Sequence, residues 1–253
     1  MRDQDLEYTY ELEENFWWFD GMRAITLSWI GCLSPQAVLD AGCGTGFNLQ
    51  WFRQKLGAPR IVGIDLSETA LRFTHRRVAT APLARASVTH LPFNGQCFDL
   101  VTSFDVISHI PLRMVAGALS EFSRVLRAGG HLFVRVPAIR WLYSSHDQQL
   151  QTHTRFSLPQ LAGLLSGAGF KVIRGSYANF FLFPIALVRR VFKRLGLFSG
   201  PDVRPFPKLL FFLEPLFLRA LRLEARLLAD EGRRFPVGLS AIALAQKPGN
   251  ISA

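Results

Sequence analysis

The sequence predicts a doubly wound α/β fold, a seven-stranded sheet with helices on both faces, and three observations predict it. Short apolar runs alternate with helical stretches from residue 37 onward, a glycine-rich turn (Gly42-Cys43-Gly44-Thr45-Gly46) follows the first run, and an acid, Asp65, closes the second. Alternating βα units imply a mostly parallel sheet, because each crossover helix returns the chain to start the next strand in the same direction.

The elements follow in order. An acidic helical lead-in covers about 4–15, an aromatic knot Phe16-Trp17-Trp18-Phe19 comes next, and a helix is expected near 21–31. Ala37–Asp40 reads as the first strand, 47–56 as a helix and Ile61–Asp65 as the second strand, a β-α-β unit. A helix near 67–79, a short strand near 85–88 and a strand over Phe98–Ser103 continue the alternation. After them come a helix around 112–126 and a strand over His131–Val136, with Gly129-Gly130 as the turn between. Ser157-Leu158-Pro159 has the form of an N-cap followed by an early proline, so a helix opens there and runs to about 167, where Gly169 ends it. Strand six is expected from about 170 to 177 and a closing strand over Leu239–Ala245. Between those two lies a block rich in Phe, Leu and Arg that reads as a helical insertion. One domain is expected over 1–253, made of an N-terminal helical lid (1–34), a core (35–178), a helical cap (179–236) and the last strand (237–247).

Composition sets the bounds. With 253 residues, 49% of them hydrophobic and a mean hydropathy of +0.18, the chain can bury a sizeable core and is not a polar, disordered sequence. Asp3, Asp5, Glu7, Glu11, Glu13 and Glu14 interrupt the opening, which leaves no secretory signal pattern and points to a cytoplasmic chain. Cys32, Cys43 and Cys97 are scattered without a CxxC spacing, which argues against a disulfide framework or a zinc site. The net charge of +10 is uneven: residues 171–228 hold eleven Lys and Arg against Asp202, Glu214 and Glu224. Arg189, Arg190, Glu214, Arg219 and Arg222 cut the apolar stretches there before they reach the ~20 residues that a membrane span needs.

In a parallel sheet, ligands bind at the carboxyl ends of strands where the strand order reverses, and glycines let the first βα turn approach the ligand. Asp65 stands 21 residues past Gly44, placed to accept hydrogen bonds from ribose hydroxyls. Two features oppose a nicotinamide dinucleotide: the spacing is GxGxG, and Asp40 precedes the glycines. A carboxylate there repels a pyrophosphate and attracts a cofactor that carries an ammonium group and a sulfonium.

Val38-Leu39-Asp40-Ala41-Gly42-Cys43-Gly44-Thr45-Gly46 resembles the first motif of class I S-adenosylmethionine-dependent methyltransferases, of the bacterial small-molecule and quinone type, and Gly63-Ile64-Asp65-Leu66-Ser67 resembles their second. Leu91-Pro92-Phe93, Phe98-Asp99-Leu100-Val101 with Ser108-His109-Ile110, and Leu126-Arg127-Ala128-Gly129-Gly130 resemble the later motifs in order and spacing, so the likeness covers about 36–137. The resemblance implies a Rossmann-like sheet whose last strand is antiparallel, with S-adenosylmethionine as cofactor. It implies that Asp40 and the backbone of Gly42, Cys43, Gly44 and Gly46 hold the methionyl end, that Asp65 with Leu66 takes the ribose side, and that Ser87 and Val88 flank the adenine. Many relatives have Asp where this chain has Ser87, a weaker acceptor for the adenine amino group. Phe104, Asp105 and His109 would line the cofactor and face the substrate, and the aromatic knot with Trp18 and Arg23 resembles an N-terminal lid. Aromatic faces suit a sulfonium and exclude water; the bland alternative is that they anchor the first helix.

The stretch Ser145–Phe156 concentrates His146, Asp147, His153 and Arg155 on a loop after strand five, where these folds place substrate residues. One reading has His146 or His153 take a proton from the nucleophile, Asp147 orient the imidazole and Arg155 hold an acidic substrate group; another has these residues only shape the loop. No fourth ligand accompanies His146, Asp147 and His153, so no metal is expected. The insertion is a solvated helical cap, a wall of an apolar substrate pocket, or a basic amphipathic surface for anionic lipid. No RNA-binding module accompanies the basic charge, which disfavours nucleic acid. The expected function is methyl transfer by in-line displacement to oxygen, nitrogen or carbon of a small or lipid-linked acceptor. Its rivals are a non-catalytic S-adenosylmethionine-binding partner of a membrane-associated assembly and a nicotinamide oxidoreductase.

Overall fold

The computed structural model describes residues 3–142, 152–194 and 213–249. Seven strands form one sheet in the order β3-β2-β1-β4-β5-β7-β6, with β1 (Ala37–Ala41), β2 (Arg60–Asp65), β3 (Leu83–Arg85), β4 (Phe98–Phe104), β5 (Leu126–Pro137), β6 (Lys171–Ala178) and β7 (Ser240–Gln246). All neighbours are parallel except β7, which runs antiparallel to both β5 and β6. The predicted fold class holds, including the antiparallel last strand that the resemblance implied.

Both faces of the sheet are buried, so successive residues of one strand feed different cores. Leu39, Val101, Leu132 and Val134 pack with α5 (Leu112–Val125) and α6 (Leu158–Gly167) through Val115, Leu119, Phe122, Leu161 and Leu165. Val38, Leu100, Phe133 and Ile242 pack on the other face with α2 (Trp17–Ile30) and α3 (Phe47–Leu56) through Met22, Ile25, Trp29, Leu49 and Phe52. Helices α1 (Asp3–Leu12) and α4 (Glu68–Arg77) adjoin each other, and the insertion supplies α7 (Phe183–Arg194) and α8 (Glu214–Leu227).

Three expectations shift. The aromatic knot is not a separate segment: Phe16 is the N-cap of α2 and Trp17, Trp18 and Phe19 are its first turn. β3 lies at Leu83–Arg85 rather than 85–88, because Gly63, Ile64 and Asp65 of β2 pair with Leu83, Ala84 and Arg85, and Ser87 instead bridges to His90 in a tight turn. β5 starts at Leu126, directly after α5, where Leu126 pairs with Phe98 before a register shift leads into the His131 run. Helix α2 is also a layer of the core, through Met22, Ile25, Trp29 and Ile30. It lies against α8, where a Cβ on Gly21 would stand 2.3 Å from Leu221 Cδ1. Trp17 meets Phe217 with ring centroids 5.4 Å apart, and Arg222 donates to Asp20 at 2.8 Å.

Candidate functional site

β1 carries Asp40 to the carboxyl edge of the sheet beside β4, at the point where the crossover helix α3 covers one face and α5 the other. This is the switch point that parallel sheets use for ligands. The amides of Gly42 and Cys43 both donate to the Ile64 carbonyl, at 2.9 and 2.8 Å, which hangs the turn on β2. Asp65 braces it from the side: Oδ2 accepts from the Gly44 amide at 3.0 Å and Oδ1 from the Ser67 amide at 2.9 Å. From α4, the Thr74 hydroxyl donates to the Gly44 carbonyl at 2.8 Å. Burial pushes the Cys43 thiol well above its ordinary range, so Cys43 stays neutral and offers the turn its backbone.

Asp40 is fully buried. Its Oδ1 accepts from the Thr102 hydroxyl at 2.8 Å, and its Oδ2 has no hydrogen-bond partner among the described residues. Burial pushes the carboxyl up to about 7; the Thr102 bond opposes that rise, Asp65 adds to it by like-charge repulsion, and Arg135 counters it. A buried carboxylate oxygen without a donor is costly, and a cation or N–H donor beside it would remove the cost. Gly44 adds space: at φ +55°, a Cβ built on it would meet nothing within 4 Å. An unpartnered acid beside an open glycine turn fits the ammonium end of a methionyl cofactor.

Asp105, at φ +63°, holds the left-handed region that L-residues rarely adopt. Its amide donates to the Arg135 carbonyl at 2.7 Å, and its Oδ2 accepts from Arg135 Nε at 3.0 Å and Nη2 at 2.6 Å. The Arg135 guanidinium lies 5.1 Å from the Phe104 ring centroid and 5.4 Å from that of Trp18. Trp18, Phe104 and Asp105 are thus brought together, and Arg135 of β5 is the residue that joins them. Arg23 reaches the start of α3, with its guanidinium 4.2 Å from the Phe47 ring centroid.

The remaining sequence-predicted residues are placed less closely. Leu66 follows Asp65 with 66% of its surface exposed, an apolar side chain held out at the sheet edge. Val88 is buried, and the Ser87 hydroxyl is shared with Thr89, at 2.8 Å from its Oγ1. The His109 side chain is exposed while its amide bonds the Val106 carbonyl. The His153 amide donates to the Ser108 carbonyl at 2.8 Å, which lays residues 152–156 over the loop after β4, and its side chain is exposed. Arg155 Nη1 donates to the Ala138 carbonyl at 2.9 Å. His146 and Asp147 lie outside the described residues.

Sequence reasoning missed Thr102, Arg135, Glu13 and Arg77, all of which contact the site or its turn. Thr102 and Arg135 sat inside strands read only for apolar content, and Arg77 lay inside the helix expected near 67–79. No local pattern announces a pairing across 30 or more residues.

The chain belongs to the class I S-adenosylmethionine-dependent methyltransferases. A family described as "Methyltransferase domain" matches residues 39–134. A demethylmenaquinone methyltransferase of Lactiplantibacillus plantarum is 30% identical, with 62% of this chain and 80% of that protein covered. A protein of Mycolicibacterium smegmatis named a probable S-adenosylmethionine-dependent methyltransferase is 31% identical over 162 residues, covering 63% of this chain and 61% of that one. The chain therefore spans about three fifths of the length of that mycobacterial relative. Among solved structures, the complex of the Haloferax volcanii Trm112 methyltransferase activator and its methyltransferase contains a similar fold, at TM-score 0.62 and 19% identity, with 96% of this chain and 95% of that chain covered.

Proposed function

We propose that the protein transfers the methyl group of S-adenosylmethionine by in-line displacement to a small or lipid-linked acceptor, and that residues 1–253 work as one methyltransferase unit. The observation that carries this reading is the buried Asp40 carboxylate with its unpartnered Oδ2 beside the Gly42–Gly46 turn. When bound, the cofactor supplies an electrophilic methyl group on a sulfonium, so the acceptor atom gains the C–X bond as the C–S bond breaks and S-adenosylhomocysteine leaves.

The residues divide the remaining tasks. Asp40 and the backbone of Gly42, Cys43, Gly44 and Gly46 hold the methionyl end, Asp40 taking its ammonium group, while the start of α3, where Gly46 provides no side-chain cap, faces its carboxylate. Asp65 keeps a lone pair on each oxygen for the ribose hydroxyls, with Leu66 beside it on the ribose side, and Ser87 and Val88 flank the adenine. Trp18, Phe104, Asp105 and His109 border the acceptor side, with Arg23 behind the turn. Orientation of the nucleophile is the main catalytic demand, since the methyl group is already activated. When that nucleophile is a hydroxyl or amine, His146 or His153 receives its proton, Asp147 steadies the imidazole, and Arg155 meets an acidic group of the acceptor.

A lipid-linked acceptor is supported by α7, whose Ile185, Val188, Val191 and Phe192 are 40–54% exposed, on a segment that is basic in sequence. Such a surface suits peripheral contact with anionic lipid. Among the described residues, no helix is long and apolar enough to cross a membrane.

Isothermal calorimetry with S-adenosylhomocysteine tests the site. Wild type is expected to bind in the micromolar range, and Asp40→Asn to lose about tenfold or more, since hydrogen bonds to a charged group contribute ~1.5–3 kcal/mol. No heat at millimolar ligand with the folded wild type overturns the proposal.

A further inference from the structure

Arg77 closes α4 with only 2% of its side-chain surface exposed, and its guanidinium joins segments far apart in sequence. Nη1 donates to Glu13 Oε2 at 2.8 Å and to the Thr45 carbonyl at 3.1 Å, while Nη2 donates to the Tyr10 carbonyl at 2.7 Å. Its charged plane lies 4.0 Å from the Tyr10 ring centroid and 4.9 Å from that of Phe47. Glu13 also accepts a hydrogen bond from the Thr45 hydroxyl. Thr45 stands between Gly44 and Gly46 in the turn, and Phe47 is the first residue of α3. Arg23 repeats the connection from α2: it lies over Phe47 and donates to the Glu13 carbonyl at 3.2 Å. Glu13 is close enough to Asp40 for their charges to repel.

We propose that Arg77 is a positioning residue for the cofactor turn: it fixes the Thr45 carbonyl and straps the exit of α1 across the turn, so that the cofactor is held while the strap is shut and leaves as it opens. The proposal rests on the reading of Gly42–Gly46 as the S-adenosylmethionine site. Three left-handed glycines in five residues give the turn conformational freedom that must be lost on binding. Arg77 removes part of that freedom beforehand. Because the ion pair with Glu13 is largely buried, it is weakly screened, and opening the strap leaves both charges short of partners. That makes release slow rather than binding merely tight.

Stopped-flow measurement of S-adenosylhomocysteine association and dissociation on the full chain tests this, with Arg77→Lys, Arg77→Gln and Glu13→Gln. Both Gln variants are expected to raise the dissociation rate about tenfold, the effect of losing one charge-assisted contact. Arg77→Lys keeps the charge but not the fork and falls between them and wild type. The double variant Glu13→Gln/Arg77→Gln releases no faster than the faster single variant, because both changes open the same strap. Unchanged dissociation rates alongside a lowered melting temperature would show that Arg77 only supports the fold, and multiplying rates in the double variant would show two independent contacts; either overturns the proposal. Should Arg77→Gln fail to fold, Arg77→Lys and Glu13→Gln decide the matter alone. A wild type that binds no S-adenosylhomocysteine removes the site reading and this proposal with it, whereas a wild type that binds beside indifferent variants removes only the strap.

Discussion

Gly42, Gly44 and Gly46 all hold positive φ, yet a methyl group added to each meets different surroundings. At Gly42 it would stand 2.2 Å from Val106 Cγ2, and at Gly46 2.6 Å from Thr74 Cγ2; at Gly44 it would enter open space. The first and third glycines let the turn pack, and the second leaves room. Gly42→Ala is therefore expected to lower stability by about 2 kcal/mol or more, through overpacking added to backbone strain. Gly44→Ala costs about 1–2 kcal/mol of strain and also weakens S-adenosylhomocysteine binding. Chemical denaturation paired with calorimetry separates the two. Asp40 adds a pH signature. Its folded pKa is raised from 3.8 to about 7, so between those values the folded state binds more protons than the unfolded one, and the contribution of Asp40 to stability falls as pH rises. A cationic ligand prefers the ionised carboxylate. Binding of S-adenosylhomocysteine should strengthen as pH rises through about 7, and calorimetry of Asp40→Asn over the same range should give a flatter profile.

Among the elements, a buried acid of the insertion ties α8 to the end of β6. Glu224 of α8 is fully buried, and its carboxylate accepts the amides of Asn179 at 2.6 Å and Phe180 at 2.9 Å, where the chain leaves β6 with Asn179 in the left-handed region. Burial pushes its carboxyl up to about 7 against the opposing pull of those amides. Glu224→Ala leaves the donors unpaired in the core and should destabilise the protein by about 2–3 kcal/mol, read as a lower urea midpoint with S-adenosylhomocysteine affinity unchanged in the folded fraction. The helices and strands themselves were largely legible, because burial of both sheet faces leaves long apolar runs and because glycines and the Ser157 capping box punctuate them. β3 was misplaced for a physical reason. It is a three-residue edge strand whose limits are set by pairing with β2, not by any pattern of its own. The aromatic knot was likewise legible as residues but not as a turn of helix, since its role comes from Phe217 of α8, two hundred residues away.

On the scale of the whole molecule, charge and apolar exposure do not follow the fold. The opening of the chain is acidic, residues 171–228 are basic, and α7 exposes Ile185, Val188 and Phe192 at helical spacing. If that face meets anionic lipid, the protein should float with phosphatidylserine-containing vesicles at low salt and be released at high salt, and Val188→Asp should reduce flotation. Absence of flotation at low salt would reject lipid contact and leave a soluble acceptor. The sequence by itself determined the α/β class, the strand count, the glycine turn with Asp40 and Asp65, and through them the methyltransferase family. These are local: strand and helix periods are written in neighbouring residues, and a ligand turn needs its glycines and acids within a few positions of one another. Only the tertiary structure decided that α2 belongs to the core, that Arg135 joins Trp18, Phe104 and Asp105, and that Arg77 ties Glu13 to the turn. Those contacts depend on which faces the packed sheet brings together, and buried charges declare their partners only once water has been excluded around them.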